Sequence, residues 1–424
     1  MHLPERRRFL RTCAALGAGA APWGCGLMGP YTLPGYTAPK NETDFAEAIN
    51  AFSLDLFHRV ATERGNIVVS PFSVETALAM ATVGAQTLTA TEMKSVLHFY
   101  ERPLESGTID PMGEVNGGFQ QLLKHLHGTN NVELNIANAV WGEQTTPWRK
   151  EYLRKLDEYY GGGFIPTDFR RPDKACEQVN RWVAKQTNDK IRNLLDESNI
   201  TTDTRMVLAN AIYFHGKWSK PFKKSDTINE QFHSGRKNHH AEMMKQTGKF
   251  GYFQGEGFQA LELPYRGEQF SMIVLLPKEN DGLSAFEKQL TAEQFRTACD
   301  KLANSTEVNV KLPRFKIEKA FDLVPALKEM GIRTAFTNQA DFSGMHSGKE
   351  MLKIDAVQHK AFIDVAEEGT EAAAATAVTM TLFKSATPVE PPIPNFHADH
   401  PFLYAIRHRP SGAILFIGRV EYPG

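Results

Sequence analysis

Phe45, Ile49, Phe52, Leu56 and Val60 recur at steps of three and four residues, the period of one helix face. Thr43 or Asp44 stands where a side-chain cap for that helix is expected. Ile67, Val68 and Val69 are a short apolar run that predicts a buried strand. Ser70-Pro71 then combines a capping hydroxyl with proline at the first helical position, and Val74, Ala77, Leu78 and Ala81 give the next helix its stripe. Residues 132–141 alternate and predict a strand. Helices are predicted over 151–160 and 179–195, the second with Val179, Trp182, Val183 and Thr187 on one face. Residues 205–214 are an apolar run of strand type, and 258–264 with 270–276 predict a hairpin about Arg266-Gly267. Further strands are expected at 308–312, 351–365, 402–407 and 414–420, the last two joined by a turn at Pro410-Ser411-Gly412. Helices dominate the first half and strands the second. No short repeat and no strict β–α alternation appears, so the pattern predicts an α+β domain rather than a parallel α/β sheet.

Composition narrows the function. The chain has 424 residues, 42% hydrophobic and 23% charged, which is enough for a sizeable core. Lys and Arg number 48 against 49 Asp and Glu, so the basic excess of a nucleic-acid binder is missing. Cys13, Cys25, Cys176 and Cys299 form no CxxC pair and no metal spacing. Spacing does not decide whether Cys176 and Cys299 pair.

The N-terminus differs in kind from the rest. Arg6, Arg7, Arg8, Phe9, Leu10 and Arg11 precede a run of small residues from Ala14 to Ala21. A charged head, an apolar middle and small residues predict an export signal over 1–24, with cleavage near Ala20 or Ala21. The arginine run resembles a twin-arginine signal. Its apolar part is too short to remain as a membrane span, and no later run reaches transmembrane length. Cys25 is an alternative lipidation point, although Pro22-Trp23-Gly24 is a poor lipoprotein box. Residues 25–42, rich in Gly, Pro, Tyr and Thr, read as a linker, and the folded domain is expected over 43–424. The expected location is extracellular or periplasmic.

One segment fits no ordinary element. After Val365 come Ala366, Glu367, Glu368, Gly369, Thr370 and Glu371, then Ala372, Ala373, Ala374 and Ala375, then Thr376, Ala377, Val378 and Thr379. Met380, Thr381, Leu382, Phe383 and Lys384 lead into a stretch with Pro388, Pro391, Pro392 and Pro394. Alanine favours helices, and small residues also suit linkers. Neither explains why Thr370, Ala372, Ala374, Thr376 and Val378 would share one compact, uncharged face in a strand. Such a strand can enter a closed sheet without burying a charge, with Glu371 on the opposite, outward parity.

The sequence resembles the serpin family of protease inhibitors from about Phe45 to Pro423. Asn66-Ile67-Val68-Val69-Ser70-Pro71-Phe72-Ser73 is similar to the family's entry into its second helix. Asn210-Ala211-Ile212-Tyr213-Phe214-His215-Gly216-Lys217-Trp218 is similar to a central strand and the turn after it. Leu263-Pro264-Tyr265, Leu312-Pro313-Arg314-Phe315 and Ala340-Asp341-Phe342-Ser343-Gly344-Met345 are further family blocks. Residues 367–376 resemble the hinge of inhibitory members, and Phe396-His397-Ala398-Asp399-His400-Pro401-Phe402 resembles the C-terminal signature. Thr87 departs from the pattern, since the family usually has glycine there.

The resemblance implies three β-sheets, eight or nine helices and an exposed reactive-centre loop at about 367–395. It implies a suicide substrate: a serine protease cuts the loop, and the loop inserts into the main sheet while the acyl-enzyme is still attached. Counting along the hinge from Glu367 puts the specificity residue at Phe383, with Lys384 after the cut, which suits a chymotrypsin-like protease. A shift of one residue would select Lys384 or Leu382 instead. The hinge would comprise Glu367, Glu368, Gly369, Thr370, Glu371 and Ala372 to Ala375. Ser70, Asn210 and His359 map onto a hydrogen-bonded cluster beneath the strands that open, and Trp218 onto the point where insertion begins. Alone, each of these residues reads as core packing or a satisfied core polar group.

No catalytic residue, metal or cofactor is implied, and a monomer is expected, with its target protease as covalent partner. His239-His240 and the pair His397 and His400 lack the carboxylate spacing of a metal site, and no nucleophile elbow or phosphate loop is present. The alternatives are a non-inhibitory carrier or chaperone-like member, disfavoured by the alanine run, and an inhibitor of cysteine proteases by the same trap.

Overall fold

The computed structural model describes residues 42–99, 102–104, 107–109, 112–127, 132–235, 237–302, 305–368 and 392–424. The predicted export signal, linker and Cys25 lie outside these residues. α1 (Glu42–Val60) leads to β1 (Ile67–Val69), then α2 (Pro71–Thr82) and α3 (Thr87–Val96). The hairpin of β2 (Arg102–Leu104) and β3 (Gly107–Ile109) precedes α4 (Met112–His127) and β4 (Val132–Glu143). α5 (Lys150–Tyr160), β5 (Phe164–Thr167) and α6 (Pro172–Gln186) complete the helical half. Then come β6 (Met206–Gly216), β7 (Ile228–Ser234), β8 (Lys237–Gln254), β9 (Phe258–Pro264) and β10 (Phe270–Pro277). α7 (Leu283–Gln289), α8 (Ala292–Lys301), β11 (Ser305–Pro313), β12 (Phe315–Asp322) and α9 (Val324–Met330) follow. β13 (Ala356–Val365), β14 (Asn395–His397), β15 (Phe402–His408) and β16 (Ile414–Val420) end the chain.

Among the described residues the strands form sheets of nine, five and two members. With nine α-helices, this is the expected α+β architecture. The five-stranded sheet has the order β12-β13-β6-β4-β5. Its two faces meet different cores. Leu208, Ile212, Phe214, Val357, Ala361 and Ile363 join the large core with α1, α2 and the nine-stranded sheet. Val207, Ala209, Ala211, Tyr213, Ala356 and Phe362 face the other way, into a smaller cluster with α6 and residues 187–200. This is the period of two expected of a strand with both faces covered.

Most predicted elements are present with small shifts, and four expectations need correction. The helix expected over 179–195 is α6, which starts at Pro172 and ends at Gln186. Proline at the first turn sets its start, and left-handed Asn188 and Asp189 (φ 47° and 59°) end it. Thr187 Oγ1 accepts from the Ile191 amide at 3.1 Å, and Asn180 clasps Leu195, so the remaining apolar residues pack as a strap, not a helix. The strand expected from 351 begins at Ala356. Helix α1 begins at Glu42, which puts Thr43 and Asp44 inside its first turn rather than at the cap. The loop expected to reach 395 stops short of Asn395, which starts β14 against β11. Elsewhere the local chemistry agrees: Ser70 caps α2, its Oγ accepting from the Ser73 amide at 3.3 Å, with Pro71 next.

Cys176 and Cys299 are both free thiols, and they belong to different hydrophobic clusters. Burial pushes both upward in pKa, Cys299 to about 12.

Thr87 takes φ 50°, the left-handed region that glycine favours, while its hydroxyl donates to Asp341 Oδ2 at 3.0 Å. A β-branched residue there costs about 1–2 kcal/mol. Asparagine tolerates this conformation and keeps a polar side chain beside Asp341. Thr87→Asn is therefore expected to raise stability by about 1 kcal/mol, read as a higher urea midpoint; an unchanged or lower midpoint would contradict the strain.

Candidate functional site

The centre of the five-stranded sheet is a parallel pair. β6 and β13 run side by side from Val207 opposite Ala356 to Phe214 opposite Ile363. Each has an antiparallel neighbour on its far side, β4 and β12 respectively. β13 leads directly into the unusual small-residue segment. Three groups of contacts hold this junction: beneath it, at its upper end and across its front.

Beneath it, the structure brings together Ser70, Asn210 and His359, all fully buried. The Ser70 amide donates to His359 Nε2 at 3.0 Å. That makes Nε2 the acceptor and puts the ring proton on Nδ1, which donates to Asn210 Oδ1 at 2.7 Å. Asn210 and His359 are direct partners across the β6–β13 pair. Ser70 Oγ donates to the Leu415 carbonyl at 2.6 Å, which ties the cluster to β16. Phe321 of β12 stacks near the imidazole. Burial holds His359 neutral, its pKa pushed down to about 3. The cluster is not fully satisfied. Among the described residues Asn210 Nδ2 has no partner, and neither has Nδ2 of Asn138, its register partner on β4. Ser73, whose hydroxyl donates to Asn138 Oδ1 at 2.6 Å, belongs to the same network and was not foreseen. Each unpaired buried amide destabilises the closed sheet by about 1–3 kcal/mol.

At the upper end, Trp218 stacks on Tyr265 with ring centroids 4.4 Å apart. Its indole Nε1–H donates to the Ala366 carbonyl at 2.9 Å, and its backbone amide to the Glu368 carbonyl at 3.1 Å. The Phe222 amide donates to the Glu367 carbonyl at 2.8 Å. Glu367 is 3% exposed: its Oε1 accepts from Thr227 at 2.8 Å, and Oε2 lies 3.7 Å from Arg314. Lys224 lies 3.5 Å from Glu368. Glu367 and Glu368, the first two residues of the expected hinge, are thus pinned to the body. Gly369, Thr370, Glu371, Ala372, Ala373, Ala374, Ala375, Leu382, Phe383 and Lys384 lie outside the described residues. Phe222, Thr227 and Arg314 were not assigned from sequence. Arg314 lies inside the Leu-Pro-Arg-Phe block, the one signal that could have found it; Thr227 is 140 residues from its partner.

Across the front, the strap at 187–200 covers the sheet. Lys190 lies 5.7 Å from the Tyr213 ring centroid, and Lys360 Nζ donates to the Arg192 carbonyl at 2.9 Å. The histidines weighed as metal ligands go to separate partners. His400 bonds Asp399 and the Pro277 carbonyl, His240 lies beside Asn229, and His239 packs on Tyr422. Among the described residues no cluster of His, Cys, Asp or Glu is placed to hold a metal, and no helix is long and apolar enough to cross a membrane.

A family model described as serpin (serine protease inhibitor) matches residues 47–423. Human Serpin B3 is 41% identical over 393 residues, 89% of this chain and 99% of that protein. Human leukocyte elastase inhibitor is 39% identical over 393 residues, again 89% of this chain and 99% of that protein. Among solved structures, uncleaved ovalbumin superposes with a TM-score of 0.78 at 32% identity, covering 89% of this chain and 100% of that one.

His359 gives the closed junction a pH dependence. Its folded pKa lies below the unfolded value, so the unfolded chain binds the extra proton first. The neutral imidazole's contribution is complete above about pH 6.5 and is lost as pH falls toward 3. His408, lowered to about 4 mainly by burial, adds a second proton with the same sign. Between pH 6.5 and 5, wild-type stability is expected to fall faster than that of His359→Gln by about 1.4 kcal/mol per pH unit. Urea midpoints across that range check this, and equal slopes would refute it.

Proposed function

The chain belongs to the serpin family, and from that premise we propose that it traps a serine protease by offering the segment after β13 as bait. Once cut, that segment closes into the five-stranded sheet. One observation carries the reading: β6 and β13 are adjacent and parallel, and β13 runs straight into the bait. A strand folding back from the end of β13 and lying between them is antiparallel to both. It replaces one parallel ladder with two antiparallel ones. About a dozen inserted residues add ladder hydrogen bonds worth ~0.5–1.5 kcal/mol each, on the order of 10 kcal/mol in all.

The side chains of the bait suit this path. Both faces of the sheet at this junction are covered, so an inserted strand needs small residues of either parity. Ala372 to Ala375 meet that need. Thr370 enters first, toward the large core. Glu371 has the opposite parity and enters at the upper front, where the Lys316 ammonium lies 5.1 Å from the Phe362 ring centroid. The acyl bond is made by the protease's own nucleophile, and this chain supplies no catalytic group.

Phe383 as specificity residue favours a chymotrypsin-like target cut before Lys384. Leu382 in that position would instead suit an elastase- or chymotrypsin-like one, and one human relative is named as a leukocyte elastase inhibitor. The same reading has the protein exported through residues 1–24, free or lipidated at Cys25, and acting as a monomer outside the cytoplasm.

Incubation with chymotrypsin is expected to give an adduct that survives a denaturing gel, and sequencing the released fragment to begin at Lys384. In Thr370→Arg a buried guanidinium stalls insertion, since an unpaired buried charge offsets several kcal/mol. That variant is expected to be cleaved without forming adduct. An equally abundant adduct from Thr370→Arg would overturn the insertion step.

A further inference from the structure

α2 is buried along its whole length, and one of its residues is an acid. Glu75 is 0% exposed, and among the described residues neither carboxyl oxygen has a hydrogen-bond partner. It shares a helix face with Phe72, one turn away. The Phe72 ring lies 6.2 Å from that of Phe119 on α4, which lies 5.5 Å from Tyr160 on α5. Tyr160 donates to Asn116 Oδ1 of α4 at 2.7 Å, and Tyr152 to the Met80 carbonyl at 3.3 Å. The carboxyl therefore lies on the side of α2 that faces Tyr160, the residue through which α5 meets α4.

The titratable group facing it is Tyr160 of α5, whose own neighbour on that helix is Tyr152. Charged groups on the other packed elements are turned to other partners. Glu47 pairs with Arg296, Asp55 with His98, and His58 with the Glu287 carbonyl. On α3, Glu92 bonds Thr334; on β16, Arg419 pairs with Glu287; on β4, Glu143 accepts from Thr145 and the Phe169 amide. Glu114, Lys124, His125 and His127 of α4 are exposed. Burial holds the Glu75 carboxyl in its neutral form, well above the usual carboxylate range.

The helix that Tyr160 meets is weak by composition. α4 contains Gly113, Gly117 and Gly118. A Cβ at Gly118 would press on the Phe45 ring, so that glycine has a packing reason. At Gly113 and Gly117 a Cβ would meet nothing within 4 Å among the described residues. An interior glycine costs a helix about 1 kcal/mol relative to alanine, and here no contact offsets it.

We propose that α4 is a hinged cover over Glu75, released as a unit, and that its release gives the Glu75 carboxyl to water. On release the carboxyl O–H bond breaks, the proton passes to solvent and a carboxylate remains. The docked state then holds one more proton than the released state. Docking is most stable at low pH and weakens as pH rises above the ordinary carboxyl value. α4 precedes β4, the strand paired with β6, so this cover borders the strands that must separate from β13.

The test uses the intact, uncleaved protein and no protease, so it stands or falls apart from the inhibitory reading. Hydrogen exchange of residues 112–127 is followed from pH 6 to 9 and corrected for intrinsic rates. Protection of α4 is expected to fall up to about tenfold per pH unit, with α2 unaffected. Glu75→Gln, which keeps the shape but does not titrate, is expected to flatten that slope. Gly117→Ala is expected to raise α4 protection about fivefold at every pH and leave the slope unchanged. A pH-independent wild-type α4, or a slope that persists in Glu75→Gln, would overturn the proposal.

Discussion

The rest of the molecule depends on the parallel contact between β6 and β13. It is a complete ladder, so the sheet is closed, yet its two strands point the same way. Parallel pairing is slightly weaker per residue than antiparallel pairing. A sheet of this kind has a more stable form within reach whenever a strand of opposite direction is at hand. On the proposed reading, the segment leaving β13 would supply such a strand by folding back.

Three groups of contacts hold the junction as it stands. Beneath it, His359 bridges the Ser70 amide and Asn210, and stays neutral because it is fully buried. Above it, Trp218, Phe222, Thr227 and Arg314 hold Ala366, Glu367 and Glu368 against the body. In front, the strap at 187–200 leans on Tyr213 and Lys360. None of these contacts is strong alone. The unpaired amides of Asn138 and Asn210 show that closure is achieved at some cost. Moderate bonds around an incompletely satisfied centre fit the proposed reading, in which the body holds and then rearranges once.

Much of this was legible in the sequence where a residue acts through local chemistry. The Ser70-Pro71 cap, the alternation along 258–264 and 270–276, and the helical stripe after Phe45 follow from spacing. Ser70, Asn210, His359 and Trp218 were placed by resemblance, and the structure assembles the first three into one network. Long-range partners were not legible. Thr227 is an ordinary surface-type threonine until Glu367, far along the chain, folds onto it. β8 escaped notice because Gly248, Gly251 and several charged residues break its pattern; its length comes from pairing with β7, β9 and β11. α8 had a readable start, the Thr291–Gln294 capping box, but too short an apolar stripe to stand out. Glu75 ran against every expectation for a core helix, and such a mismatch marks either strain or function.

The account rests on the severed segment's finding a place between two strands already in contact. The most direct measurement is the melting temperature before and after a single cut within residues 369–391 by a protease that does not remain bound. Incorporation on the order of 10 kcal/mol is expected to raise it by about 10–15 °C. A melting temperature that does not move would mean that the sheet stays closed and that the parallel junction is merely structural.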